Sequence, residues 1–132
     1  MTTFPAITHV AVTVSDLGRS RLWYGRLFGA DPVLDEDTEP GFHHSVFLLD
    51  NGTLLGLHQH VTAPSAQEFS EHNAGLDHVA FGCANRAELE RWVARLDELG
   101  ISHGGIVEAH YGSGLSFRDP DGITLEFFAP SQ

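Results

Sequence analysis

The sequence predicts an α+β fold built from two βαβββ modules in tandem. Two observations carry this: the chain repeats itself at an interval of 69–70 residues, and in each copy a two-residue hydrophobic period gives way to a helical one and then returns. Residues 7–29, ITHVAVTVSDLGRSRLWYGRLFG, align with residues 76–100, LDHVAFGCANRAELERWVARLDELG, so that His9 falls on His78. Residues 43–60, HHSVFLLDNGTLLGLHQH, align with residues 114–130, GLSFRDPDGITLEFFAP, which puts Phe47 on Phe117 and Gly52 on Gly122. The expected organisation is one domain over residues 1–132. Its first module is 5–60, its polar, aperiodic linker 61–75 and its second module 76–130.

The opening strand alternates. Val10, Val12 and Val14 point to one face, under the helix, and His9, Ala11 and Thr13 point to the other. A helix follows from near Ser15 or Asp16, packing Leu22, Trp23, Leu27 and Phe28 and stopping at Gly29, with Gly25 weakening its middle. A weak strand is placed near 32–36, and the acidic stretch Asp35, Glu36, Asp37 and Glu39 is read as a solvated loop. Asp50-Asn51-Gly52 then turns a hairpin.

The second copy repeats this plan. Val79, Phe81 and Cys83 face the helix, while His78, Ala80 and Gly82 face away. Leu89, Trp92, Val93, Leu96 and Leu99 recur at helical spacing; Asn85 is a natural N-cap, Glu88 stands three residues on, and Gly100 supplies the stop. A weak strand near 104–108 and a hairpin about Pro120-Asp121-Gly122 complete the module.

Composition narrows the function. All seven basic residues are arginine against eighteen acidic ones, a net charge of −11. Without lysine there is no Schiff-base or pyridoxal-phosphate chemistry, and so acidic a chain is a poor partner for nucleic acid or an anionic membrane. With 42% hydrophobic residues the chain has the material for a core, and no apolar run approaches membrane-spanning length. The opening MTTFPAITHV lacks the basic start and long apolar stretch of a secretory signal, and Cys83 is the sole cysteine, so a cytoplasmic protein without an internal disulfide is expected. Cys83 itself reads as inert core.

The strand faces locate the chemistry. His9 and His78 occupy equivalent positions on the face that the helices leave uncovered, beside small residues. In the last strand Ile123, Leu125 and Phe127 share one face and Thr124, Glu126 and Phe128 the other. A mid-strand carboxylate needs a partner. Two imidazoles and one carboxylate converging from three strands make a facial triad that binds iron(II), manganese(II) or zinc and keeps positions open for substrate or water. A lone histidine beside a strand is more often simply hydrogen-bonded, and a pair between Glu126 and Arg118 is the alternative use of the carboxylate.

These residues resemble the vicinal oxygen chelate superfamily, the group of glyoxalases, bleomycin-resistance proteins and extradiol dioxygenases. The resemblance rests on His9-Val-Ala-Val with Trp23-Tyr24 and Leu27-Phe28-Gly29, on Leu76-Asp77-His78, and on Asp119-Pro120-Asp121-Gly122 followed by Leu125-Glu126. It implies two paired βαβββ modules forming an open, barrel-like mixed sheet around a metal cavity. It also implies that His9, His78 and Glu126 hold a divalent ion, with nickel added to the metals above. The ion would act as Lewis acid on a small molecule chelating through vicinal oxygens, in dioxygenase, lyase or isomerase chemistry. Glyoxalase I and the acyl-CoA epimerases take a fourth ligand from the strand where this chain has Gly56. That departure favours the three-ligand members, the extradiol dioxygenases and the fosfomycin-type thiol transferases. A chain without lysine offers a phosphonate little cationic pocket, which weighs against the transferases. Small members commonly form homodimers, so the triad comes from one chain or from two. The alternative function is a bleomycin-resistance-type binding protein without catalysis.

Other candidates are secondary. His58, on the face of Gly56, is expected as a substitute ligand or an acid/base group, with an exposed rim histidine as the plain reading; His60 is less able to reach. His110 and Tyr111 precede Gly112-Ser113-Gly114 and suggest a loop at the cavity mouth where His110 shuttles protons. His43 and His44 start a strand and are expected at its exposed end, while His72 and His103 have no strand context. Arg118 either orients an anionic substrate or pairs with Glu126 or Asp119.

Overall fold

A computed structural model describes residues 4–38, 41–62 and 68–131. The chain forms two compact units, residues 1–66 and 67–132. Residues 63–67 of the expected linker, and Glu39 of the acidic stretch, lie outside the described residues.

The first unit runs β1 (His9–Thr13), α1 (Leu17–Phe28), β2 (Leu34–Asp37), β3 (Phe42–Leu48) and β4 (Leu54–His60). Its sheet has the order β1-β4-β3-β2, with β1 parallel to β4 and the other pairs antiparallel. Asp16 caps α1 by accepting the Arg19 N–H at 3.1 Å. The buried face of α1 is Leu17, Ser20, Tyr24 and Leu27. That corrects the expected face: Leu22 lies two positions from Tyr24, on the opposite side of the helix, and is 57% exposed. Gly25, unhelpful to the helix by propensity, has its carbonyl taken by the Ala30 N–H at 3.1 Å as the chain turns back. Val12, Phe47, Leu55 and Leu57 form the sheet side of this core.

The second unit repeats the topology with β5 (Val79–Gly82), α2 (Arg86–Glu98), β6 (His103–Ala109), β7 (Gly112–Arg118) and β8 (Thr124–Pro130), in the order β5-β8-β7-β6. Asn85 caps α2 through the Glu88 N–H, and the Glu88 carboxylate reaches back to the Ala84 N–H, one residue before the cap. Leu89 and Leu96 are fully buried, and Trp92 stacks on Phe127 with centroids 4.0 Å apart. The architecture is therefore α+β with two separate four-stranded mixed sheets rather than one closed barrel. Among the described residues no helix is long and apolar enough to cross a membrane.

The hairpin turns follow from their residues. Gly52 and Gly122 hold φ of 88° and 79°, a region that favours glycine, and Asn51 and Asp119 accept backbone N–H groups within their own turns. The acidic stretch departs from expectation. Leu34–Asp37 is a strand, because Asp35, Glu36 and Asp37 each find a histidine or hydroxyl partner on β3.

Candidate metal centre

In the second unit β5 lies parallel to β8, pairing Ala80 with Glu126. His78 stands one residue before β5 on the face of Ala80. Its Nδ1 bonds the Asp77 carboxylate at 2.7 Å, and its Nε2 lies 3.9 Å from Oε1 of Glu126. An ionised carboxylate only accepts, so Nδ1 carries the proton and the lone pair of the neutral ring is at Nε2, toward Glu126. The 3.9 Å gap is too long for a hydrogen bond. Two adjacent ligands each about 2.1 Å from one ion stand roughly 3.0–3.4 Å apart in octahedral or tetrahedral geometry, so the pair would close by about half an ångström to share a cation.

Glu126 pairs directly with Ser116 on β7, and its carboxylate lies over the diagonal neighbour Gly114, where no side chain competes for the space. A Cβ on Gly114 would lie 2.8 Å from Oε2 of Glu126, and one on Gly112 would lie 2.4 Å from Phe128. Both glycines are in strand β7, which corrects the expected glycine-rich loop: the turn is His110-Tyr111 itself, and the glycines admit the two large side chains of β8. A clue was present in the sequence, since Gly112 and Gly114 share the two-residue period of Glu126 and Phe128. Asp77, also missed, had a weaker one as a polar residue directly before a candidate ligand.

Arg118 is not the partner of Glu126. It donates to Glu71 at 2.8 Å, to the Gly122 carbonyl at 2.9 Å and to the Thr124 hydroxyl at 3.2 Å. The Thr124 hydroxyl and the Arg118 guanidinium hold the Glu71 carboxyl below its ordinary range. His110 is exposed, its ring edge-on to Tyr111, which stacks on Phe128.

In the first unit, β1 pairs Ala11 with Gly56 and Thr13 with His58. His9, Ala11, Thr13, Gly56 and His58 thus share the face away from α1. Thr8 Oγ1 bonds His9 Nδ1 at 2.9 Å, so this ring too is held through Nδ1 by the preceding residue. His58 stacks on Phe42 with centroids 4.4 Å apart at 18°, and His44 meets its edge. Burial, reinforced by His44, His60 and His9, lowers the His58 pKa and keeps the ring uncharged at neutral pH.

The remaining histidines resolve as packing. His44 faces this same side, with Nε2 3.3 Å from Glu36. His43 sits at the partly exposed start of β3, as expected, on the helix side of the sheet and held between Asp35 at 2.6 Å and Asp37 at 2.8 Å. It lines a cavity of about 580 Å³ with Arg21, Asp35, Asp37 and Gln59, on the sheet face opposite His9 and His58. His103 opens β6 and bonds Asp97 at 2.8 Å; His72 is exposed beside Glu71. Burial, with Glu88 adding to it, raises the Cys83 pKa, which suits inert core.

Of the three expected ligands the structure brings His78 and Glu126 together, and His9 belongs to the other unit. Among the described residues no three His, Cys, Asp or Glu side chains form one metal-holding group.

Paired βαβββ units with a histidine on each first strand or just before it define a class of small α+β proteins. The model of the Glyoxalase/Bleomycin resistance protein/Dioxygenase superfamily matches residues 6–127, and the chain belongs to that superfamily. It is similar to a glyoxylase/bleomycin resistance protein/dioxygenase domain from Frankia sp. EAN1pec, at 26% identity over 98% of this chain and 95% of that one, with a TM-score of 0.87. It shares its fold with a mutant of the fosfomycin resistance protein FosX from Listeria monocytogenes, complexed with Mn(II) and 1S,2S-dihydroxypropylphosphonic acid. There the identity is 20% over 98% of this chain and 95% of that one, and the TM-score 0.72. A stretch of 51 residues is 43% identical to the putative ring-cleaving dioxygenase MhqA of Bacillus subtilis (strain 168), covering 39% of this chain and 16% of that protein.

Proposed function

We propose that the chain is a divalent-metal-dependent enzyme whose ligands are His9, His78 and Glu126, acting on a small substrate that chelates through vicinal oxygens. The observation that carries this is the pair His78 Nε2 and Glu126 Oε1, 3.9 Å apart and beyond hydrogen-bond distance, with His78 fixed through Nδ1 by Asp77. His9 repeats half of that arrangement through Thr8. When bound, the ion supplies Lewis acidity that stabilises negative charge on the substrate oxygens. Glu126 balances part of the ion's charge and the imidazoles add none.

His58 brings an uncharged imidazole to the face of His9, a group able to accept a proton or bind an ion. His110 is the second proton carrier of this reading, touching Tyr111 above Phe128, two residues from Glu126. Support for an ion and adjacent oxygens comes from FosX, whose complex holds Mn(II) and a vicinal diol, and support for dioxygenase chemistry from the name of MhqA. Lyase and isomerase chemistry use the same ligands. The reading includes a cytoplasmic homodimer, with iron(II), manganese(II), zinc or nickel as the ion.

The test is metal analysis of the purified protein after reconstitution, wild type beside Glu126→Ala. One ion per chain in the wild type and loss of most of it in the variant are expected. Equal metal in both overturns the ligand assignment, and none in either overturns the enzyme reading in favour of a bleomycin-resistance-type binding protein. With metal bound, oxygen uptake on catechols separates the dioxygenase from the isomerase and lyase branches.

A further inference from the structure

The sheet face that carries His78 and Glu126 has a single arginine. In the second unit Arg86, Arg91 and Arg95 belong to α2, which packs on the other face through Trp92 and Phe127, and no lysine occurs. That leaves Arg118. Continuing the register of β5 on β8 back from Val79 and Leu125 sets His78 level with Thr124, and Thr124 pairs with Arg118 on β7. His78, Thr124 and Arg118 therefore form one row over three neighbouring strands spaced roughly 4.8 Å apart. Resting on the metal-centre reading above, we propose that Arg118 and Thr124 form a seat for a substrate carboxylate, one strand from His78, and that Glu71 fills this seat until the substrate arrives.

The contacts of Glu71 show what the seat accepts. Its Oε2 takes Arg118 Nη2 at 2.8 Å and the Thr124 hydroxyl at 2.7 Å, while Oε1 lies 3.8 Å from His72 Nε2, beyond hydrogen-bond distance. A guanidinium and a hydroxyl converging on one oxygen make a charge-assisted site for an anion. The seat is also held independently of its occupant. Arg118 Nη1 donates to the Gly122 carbonyl at 2.9 Å and to the Thr124 hydroxyl at 3.2 Å, so the guanidinium keeps its place when Glu71 leaves. Ser116, paired with Glu126 and two residues before Arg118 on the same face, adds an exposed hydroxyl without a hydrogen-bond partner among the described residues.

Glu71 is suited to leave. Its side chain is 25% exposed and that of Arg118 53%, so solvent screens the ion pair and keeps it weak. Residues 68–75 form neither helix nor strand, and among the described residues their hydrogen bonds to the sheet are those of Glu71 alone. Tethered seven residues before His78, Glu71 competes at high local concentration with any free carboxylate. The seat thus selects for substrates anchored elsewhere as well. A molecule with only a carboxylate is turned away, and one whose vicinal oxygens are already held beside the seat is not.

(S)-Malate and (S)-lactate serve as probes, because they chelate through the same 2-hydroxy-acid oxygens and differ by the second carboxylate of malate. Both are titrated calorimetrically into Co(II)-loaded protein. Glu71→Ala opens the seat; it is expected to melt close to the wild type and to prefer malate over lactate about ten-fold. The wild type should prefer malate only about two-fold, and Glu71→Ala with Arg118→Gln not at all. If Glu71→Ala binds Co(II) but takes both acids equally, or keeps its preference once Arg118 is replaced, the seat is overturned and the metal-centre reading survives. Equal preference in wild type and Glu71→Ala overturns the part given to Glu71. If the wild type binds no Co(II), the metal-centre reading fails and this inference with it. Should Glu71→Ala not fold, Glu71→Gln, which keeps the shape and loses the charge, decides by the same comparison.

Discussion

The two modules clear space on different strands. In the second, β8 carries the large groups Glu126 and Phe128, and β7 answers with Gly114 and Gly112. In the first, β4 carries Gly56 at the position of Glu126, and β3 answers with His44 and Phe42, where β7 has its glycines. A glycine makes the room in both: Gly114, diagonal on the neighbouring strand, beside the Glu126 carboxylate, and Gly56, on the same strand, beside the His58 imidazole.

The largest expected effect tests the second-unit half of this comparison. Gly112→Ala would put a methyl group 2.4 Å from Phe128 and 2.6 Å from the Ala129 carbonyl oxygen. The ring could turn aside, but the backbone carbonyl cannot without shifting β8. A loss of about 2–3 kcal/mol is expected from this overpacking, seen as a melting temperature lower by on the order of 10 °C. Adding Phe128→Ala should recover only part of it, because the carbonyl remains. An unchanged melting temperature would mean that β7 does not need its glycine.

Gly114→Ala sharpens the comparison by separating stability from binding. Its methyl would meet the far end of the Glu126 side chain, 2.8 Å from Oε2, and that end can swing away. Stability should change by less than about 1 kcal/mol. Co(II) affinity, titrated spectroscopically, should fall about ten-fold as the carboxylate leaves His78. Equal affinities would show that Glu126 does not need this seat.

Much of this was legible in the sequence and the rest was hidden for a physical reason. The modules, the helix caps at Asn85 and Asp16 and the faces bearing His9, His78 and Glu126 follow from periodicity, which is a local signal. What escaped depended on the neighbouring strand. Asp35 and Asp37 are exposed as expected, but their pairing with His43 is set by strand register, not by proximity in sequence. Gly112 and Gly114 looked like a loop because glycine composition does not reveal which side chain lies above it. Arg118 was weighed against Glu126, whereas Glu71, 47 residues earlier, takes it. The helix buries Tyr24 completely and leaves Leu22 exposed, because Tyr24 continues the face of Leu17, Ser20 and Leu27.

The smallest expected effect concerns a feature of the first module alone. His43 on β3 lies between Asp35 and Asp37, while the positions in the same register of the second module are Ser113 for His43, Ile106 for Asp35 and Glu108 for Asp37. The hydrogen bond to Asp35, then that to Asp37, raises the His43 pKa above its ordinary 6.5. The same bond to His43 lowers the Asp35 pKa below 3.8. For His43 the stabilisation is complete below pH 6.5 and is lost as pH rises through the raised value. For Asp35 it is present above pH 3.8 and lost as pH falls through the lowered value. The stability gap between wild type and His43→Gln should therefore be widest between those limits, near pH 5, and should close toward pH 9. Exposure of about a third of each side chain keeps the gap modest through solvent screening. Urea unfolding at a series of pH values measures it, and a gap that stays flat from pH 5 to pH 9 would remove ionisation as the source of the pair's contribution.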